Sequence, residues 1–131
     1  GIFNLIPGLT VAENIAYPLI LRGDRKSYWK QKTAQIMGQF NLTGKKGEAV
    51  KKLIRGEKIL TMLARGTIAD QPLILLDEPL DLLDNATAGE IILILKRLSV
   101  SGHAMIIFTT GQVPINIPSA LNYKIDGVKI I

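Results

Sequence analysis

The chain contains no cysteine, which excludes disulfides, cysteine-bound zinc and thiol catalysis and is compatible with a reducing compartment. Its one histidine, His103, excludes a multi-histidine metal site within a single chain. Aromatic residues make up 5% of a sequence that is 47% hydrophobic, so the core has to be aliphatic, built from Leu, Ile and Val. No apolar run approaches the roughly 18 residues that cross a bilayer. The longest, Ile91–Leu95 and Ala104–Phe108, are bounded by charged or polar residues. There is no internal repeat and no low-complexity tract. The opening stretch has neither a basic leader nor a cleavage pattern and is apolar from Gly1 onward. The expectation is a piece of a longer protein, without a signal peptide.

What is present amounts to 131 residues, enough for one domain with a modest core, and a formal net charge of +5. The basic residues concentrate in the first half: Arg22, Arg25, Lys26, Lys30 and Lys32, then Lys45, Lys46, Lys51, Lys52, Arg55 and Lys58. A solvated face is the plain reading. Attraction to phosphates, nucleic acid or an anionic membrane surface is the sharper one. Aromatics do not interleave with the lysines, which weakens a single-strand binding role.

Local signals divide the chain. Pro7-Gly8 marks a turn. Thr10 followed by Glu13 is a capping-box pattern that starts a helix near Val11, running to about Arg22 and ended by Gly23. Ser27–Phe40 reads as a second helix with Ile36, Met37 and Phe40 on one side. Thr43–Arg55 is polar and basic and should hold a short helix and a loop. Glu57–Ile68 is helical in pattern, with Ile59, Leu60, Leu63 and Ala64 at three-to-four spacing, and Gln71-Pro72 stops it. Leu73–Leu76 reads as a strand buried on both faces. Ala86–Ser99 is the next helix, capped by Asn85 or Asp84, with Ile91, Ile94, Leu95 and Leu98 as core. Ala104–Thr109 is a second buried strand, and Gly111–Pro118 is loop. Leu121–Ile125 and Val128–Ile131 form a hairpin about Asp126-Gly127. A helical front and an alternating back predict an α/β fold: a parallel sheet flanked by helices beside a smaller helical lobe.

The most informative run is Leu73 to Pro79, LILLDEP. Four apolar residues place two acids at the carboxyl end of a buried strand, where open α/β sheets bind their ligands. Asp77 is suited to hold Mg²⁺ directly or through water, and Glu78 to polarise an attacking water. The plain alternative is a strand that ends in a charged turn.

With these residues in view, the chain resembles the ATP-binding subunit of ABC transporters, most of all the branch of lipoprotein-release, macrolide-export and cell-division ATPases. Phe3 to Ile15 and Tyr17 to Gly23 are similar to the family segment after the Q-loop glutamine. Leu53-Ile54-Arg55-Gly56-Glu57 sits where the LSGGE or LSGGQ signature belongs, and Ala64-Arg65 matches the helix that follows. Leu73–Pro79 matches Walker B, Leu83-Asp84 the D-loop, Ile106–Thr110 the strand leading to the switch histidine, and Asp126-Gly127 the closing hairpin. The resemblance implies a partial P-loop NTPase-type parallel sheet with flanking helices plus an α-helical subdomain. It places the signature-bearing helical subdomain at 1–58 and the C-terminal part of the ATPase core at 59–131. It further implies ATP and Mg²⁺ as cofactors, with Asp77 on the metal, Glu78 on the water and Asp84 communicating across a dimer. Residues Leu53, Ile54, Arg55, Gly56 and Glu57 would face the partner's ATP.

The departures from the family pattern carry equal weight. No G-x-x-x-x-G-K-[ST] loop occurs; in the family it lies upstream of the position of Gly1. The fragment alone is therefore expected to be inactive. Ile54 stands at the signature serine and removes a hydroxyl donor, and Arg55 replaces a glycine where backbone approaches closely. Thr110 stands at the switch histidine. His103 precedes the strand and is expected to be a loop residue. The implied function is an ATP-binding subunit that couples ATP binding and hydrolysis to membrane transport. Its partners would be a second ATP-binding subunit and a transmembrane subunit, the latter docking partly on Tyr17-Pro18-Leu19-Ile20. It would be cytoplasmic, peripheral on the inner face of the plasma membrane. One alternative is a degenerate, non-enzymatic scaffold or regulator. The other is a soluble ABC-type protein acting on nucleic acid or ribosomes, although nucleic acid is not the expected partner.

Overall fold

A computed structural model describes residues 5–70, 73–102 and 104–108, the backbone alone at 74, 75, 77 and 104–108. The first helix, α1, spans Val11–Leu21. Thr10 caps it: its Oγ1 accepts from the Glu13 N–H at 3.2 Å, and the Glu13 carboxylate accepts from the Thr10 N–H at 2.9 Å. Both halves of the predicted capping box are present. At the other end Gly23, at φ 85, lets its own N–H reach the Ile20 carbonyl at 3.0 Å and the Asp24 N–H reach that of Leu19 at 3.1 Å. This is a Schellman stop, and it ends the helix at the glycine that marked it in sequence. Val11, Ile15 and Leu19 form the buried stripe.

Asn14 lies in that stripe and is fully buried. Its Oδ1 accepts from the Ile6 N–H at 2.7 Å, and its Nδ2 donates to the carbonyls of Ile6 at 3.1 Å and Thr10 at 3.0 Å. The side chain thus ties the Pro7-Gly8 turn to the start of α1.

Helix α2 spans Lys26–Gln39 and buries Thr33, Ile36 and Met37. It ends one residue before the predicted Phe40, which serves as its C-cap and stays in the core. Tyr28 is 49% exposed while Trp29 packs on the core. The polar stretch that follows holds two 3₁₀ turns, Thr43–Lys45 and Val50–Lys52, and no longer helix. The cause is a competing demand on its backbone. The Val11 N–H donates to the Glu48 carbonyl at 2.9 Å and the Ala12 N–H to that of Lys46 at 3.2 Å. Both are first-turn amides of α1 with no partner inside their own helix. Residues 46–49 satisfy them from outside.

Helix α3 spans Arg55–Ile68, starting two residues before the predicted Glu57, and buries Ile59, Leu60, Leu63, Ala64 and Ile68. It packs chiefly on α1 and also touches α2 and the later helix α4 (Asn85–Val100). Between α3 and α4 runs strand β1, Leu73–Asp77, which pairs in parallel with β2, Ala104–Phe108, Asp77 facing Phe108 in register. A β–α–β unit with a parallel pair is what the alternating back half predicted. Leu76 is buried, whereas Leu73, at the strand's start, is 45% exposed, so burial on both faces does not extend to that end. Ile91, Ile94, Leu95 and Leu98 of α4 lie in the same core as α1 and α3, and Leu93 on the opposite side is exposed. The helix is capped by Asp84, the second of the two candidates. Among the described residues no helix is long and apolar enough to cross a membrane. His103, the loop 111–118 and the hairpin with Asp126-Gly127 lie outside the described residues.

Candidate functional site

The first part of the site is the loop that leaves β1. Asp77 closes the strand. Glu78 then takes φ 48 and Leu82 φ 59, both in the left-handed region that side-chain-bearing residues avoid. Each costs on the order of 1 kcal/mol, which the surrounding structure must offset. Between them Pro79 is buried, and the Asp81 N–H closes a turn on the Glu78 carbonyl at 3.1 Å. The loop ends at Asp84, whose Oδ1 accepts from the Thr87 N–H at 2.7 Å and whose Oδ2 accepts from the Thr87 hydroxyl at 3.0 Å. These bonds, the backbone one foremost, hold the Asp84 carboxyl below the usual carboxylate range.

The second part is the start of α3. Leu53 is buried in the core, and Ile54 is the N-cap, 64% exposed. An isoleucine has no oxygen to offer the Glu57 N–H, so only half of a capping box forms. The Glu57 carboxylate reaches back to the Ile54 N–H at 3.4 Å and also lies 3.4 Å from the Lys45 ammonium. Glu48 lies equally close on the same lysine. The hydrogen bond Lys45 donates to Glu48, then the charges of both carboxylates, raise the Lys45 pKa. Arg55, in the first turn, is half-buried and reaches across to the loop at the surface. Its Nε donates to the Asp81 carbonyl at 2.8 Å. Gly56 is buried, and a Cβ built on it would lie 2.5 Å from Thr87 Cγ2 and 3.9 Å from Leu83 Cδ2. A side chain cannot be accommodated there without displacing one helix start from the other.

The structure therefore brings 53–57 and 81–84 together, the starts of α3 and α4 abutting through Gly56 and Thr87. Glu78 opens the loop that leads there. For Asp77 the description stops at the backbone, and Thr110 lies outside the described residues. Among the described residues no group of three or more His, Cys, Asp or Glu could enclose a metal. Two residues here escaped the sequence reading. Thr87 was detectable as the hydroxyl three residues after a capping Asp, and Asn14 as the lone amide in an apolar stripe. The left-handed backbone at Glu78 and Leu82 had no signal, since neither is Gly or Asn.

A helical lobe packed on a β–α–β unit, with an acid pair at the strand's carboxyl end, is the architecture of an ATP-binding cassette. The family model described as ABC transporter matches residues 3–81. The chain belongs to the ABC transporter family and has the P-loop NTPase-type fold of its ATPase cassettes. It is 30% identical over 124 residues to the macrolide export ATP-binding/permease protein MacB of Mannheimia succiniciproducens, 95% of this chain and 19% of that protein. It is 34% identical over 97 residues to the ABC transporter ATP-binding protein YtrE of Bacillus subtilis, 74% of this chain and 42% of that protein. Among solved structures it superposes on the dimeric ATP-binding cassette MJ0796 in its post-hydrolysis state with ADP and Pi. The TM-score there is 0.71 at 27% identity, over 83% of this chain and 49% of that one. The chain spans less than half the length of the curated relatives just named.

Proposed function

We propose that this chain is the signature- and Walker B-bearing part of an ATP-binding subunit that couples ATP binding and hydrolysis to membrane transport. The observation that carries the reading is the contact between the signature segment, 53–57, and the acid-bearing loop, 78–84, which follows a parallel strand ending in Asp77. In this reading residues 1–58 are the helical subdomain and 59–131 the core, a boundary that falls within α3. Asp77 supplies hard carboxylate oxygens suited to Mg²⁺, and the metal, when bound, neutralises phosphate charge. Glu78 orients a water and accepts its proton. Asp84 communicates across a dimer interface. Residues Leu53, Ile54, Arg55, Gly56 and Glu57 face the ATP held by a second ATP-binding subunit, and Thr110 occupies the switch position. None of the 131 residues forms a phosphate-gripping G-x-x-x-x-G-K-[ST] loop, so this stretch by itself does not hold ATP tightly.

A transmembrane subunit docks on the α1 face, which puts the protein at the inner side of the plasma membrane. Leu19 is committed to the core, so the docking surface narrows to Ile20, Leu21 and their surroundings, which are exposed. At the opposite end of α1 a cavity of about 220 Å³, lined by Thr10, Glu13, Trp29, Lys30, Met37 and Lys46 among others, opens between α1 and α2.

A second reading, a degenerate regulatory subunit, is favoured by one observation. The signature position carries an exposed Ile54, and the Arg55 beside it is bonded within its own chain. The deciding experiment is ATP turnover by the full-length protein with its membrane partner, wild type beside Glu78→Gln. The motor reading expects turnover that the substitution reduces by about a hundredfold or more. No turnover in either, with nucleotide still bound, selects the regulator.

A further inference from the structure

Arg55 stands at a position where the family signature has glycine, and the chain makes a specific use of it. Its Nε donates to the main-chain carbonyl of Asp81 at 2.8 Å, across 26 residues of sequence. Asp81 lies between the two left-handed residues Glu78 and Leu82, in a turn otherwise closed by its own N–H on the Glu78 carbonyl at 3.1 Å. Three residues on, Asp84 is held by Thr87, and the Thr87 methyl fills the space beside Gly56. The segment 81–84 is thus tied to α3 at its first residue through Arg55. Its last residue is held, through Thr87, at the place where α4 rests on Gly56.

A loop with strained backbone at two non-glycine positions does not keep its shape by local preference. Leu82 is 82% exposed and contributes little packing, whereas Pro79 is buried and Leu80 and Leu83 pack on the core. Outside forces have to hold the loop, and a charged donor on a carbonyl is among the stronger single ties available. Neither methionine nor alanine at position 55 has a donor to offer this carbonyl.

We infer that Arg55 is a positioning residue that fixes the Asp81–Asp84 loop to the signature end of α3, so that the two segments hold one geometry. The functional consequence rests on the reading above, in which both segments face a partner's nucleotide. The tie itself does not. On that reading Arg55 replaces adaptability at the signature with rigidity between the signature and the D-loop.

The test is hydrogen–deuterium exchange by mass spectrometry on the full-length protein without nucleotide, comparing wild type, Arg55→Met and Arg55→Ala. Methionine keeps the length and packing of the aliphatic stem and removes the donor. Both variants should exchange about five-fold faster in peptides covering Leu80–Asp84, while peptides from α1 and α2 exchange as in wild type. Unchanged exchange over Leu80–Asp84 in the methionine variant overturns the inference. An equal acceleration in α1 and α2 also overturns it, because Arg55 would then be a general stability residue. Since no nucleotide is present, a failure here stays separate from the result of the Glu78→Gln turnover assay.

Discussion

The two halves of this molecule solve their backbone problems in opposite ways. In the front half three of the four ends of α1 and α2 have a local device, the exception being the start of α2, where Arg25 provides no side-chain cap. Thr10 and Glu13 cap α1, Gly23 supplies the positive φ that stops it, and Asn14 satisfies the turn before it. Asn41, at φ 56, closes α2 in the same manner as Gly23 closes α1, with the Leu42 N–H on the Met37 carbonyl at 2.9 Å. Around 53–57 and 78–84 the local rules are broken. A helix starts on an isoleucine, an arginine occupies a tight first turn, and glutamate and leucine adopt left-handed backbone. Departures from local preference that the rest of the fold sustains tend to mark sites of function. The comparison teaches that the front lobe is held largely by local devices, whereas the strained backbone of Glu78 and Leu82 is held by packing and contacts from the rest of the fold.

The sharpest way to break the front lobe is at Asn14. Asn14→Ala would leave the Ile6 N–H without its partner, take from the Ile6 carbonyl one of its two donors (the other is the Leu9 N–H) and open a void in the α1 stripe. A loss of about 3 kcal/mol is expected, read as a shift in the urea unfolding midpoint. A change under about 1 kcal/mol would mean that the turn 6–9 is not anchored through this amide.

The next effect lies on the strained side. Gly56→Ala places a methyl 2.5 Å from Thr87 Cγ2, so α3 and α4 must part or Thr87 must rotate and release Asp84. The expected cost is about 2 kcal/mol. Thr87→Ser removes the offending methyl and keeps the hydroxyl that Asp84 accepts from. Combined with Gly56→Ala it should recover most of the loss, and a double-mutant cycle measures the coupling. Additive losses would show that the two helix starts do not bear on each other.

The contrast also explains how much could be read from the sequence. The front helices were legible because their signals are local: a Thr and a Glu three apart, a glycine after an apolar stripe. The strand–helix–strand order was legible from apolar runs with acid or turn residues at their ends. The two 3₁₀ turns between Thr43 and Lys52 were not, because what shapes them is a demand from α1, more than thirty residues away in sequence. The candidate site was legible as residue types, LILLDEP and the altered signature, but not as an arrangement. Nothing in the residue order says that Arg55 reaches Asp81 or that Gly56 rests on Thr87. Those contacts arise only once α3 and α4 share a core through Ile59, Leu63, Ile91 and Leu95.

The smallest expected effect tests whether the exposed isoleucine is a defect of the helix or a choice of surface. Ile54 sits at the N-cap of α3 at φ −73 and ψ 164, a conformation in which serine caps well. Ile54→Ser would give the Glu57 N–H an acceptor, complete the capping box and take an exposed apolar side chain off the surface. On helix physics alone the variant should be more stable by about 1 kcal/mol, seen as a higher melting temperature. The same oxygen is the hydroxyl the family signature carries, so its effect on turnover is a separate reading. If stability rises and ATP turnover rises with it, Ile54 costs the chain in both respects and the motor reading gains. If stability rises while turnover or partner assembly falls, the isoleucine is retained for an apolar contact with the partner, and the signature segment of this chain is an assembly surface before it is a phosphate site.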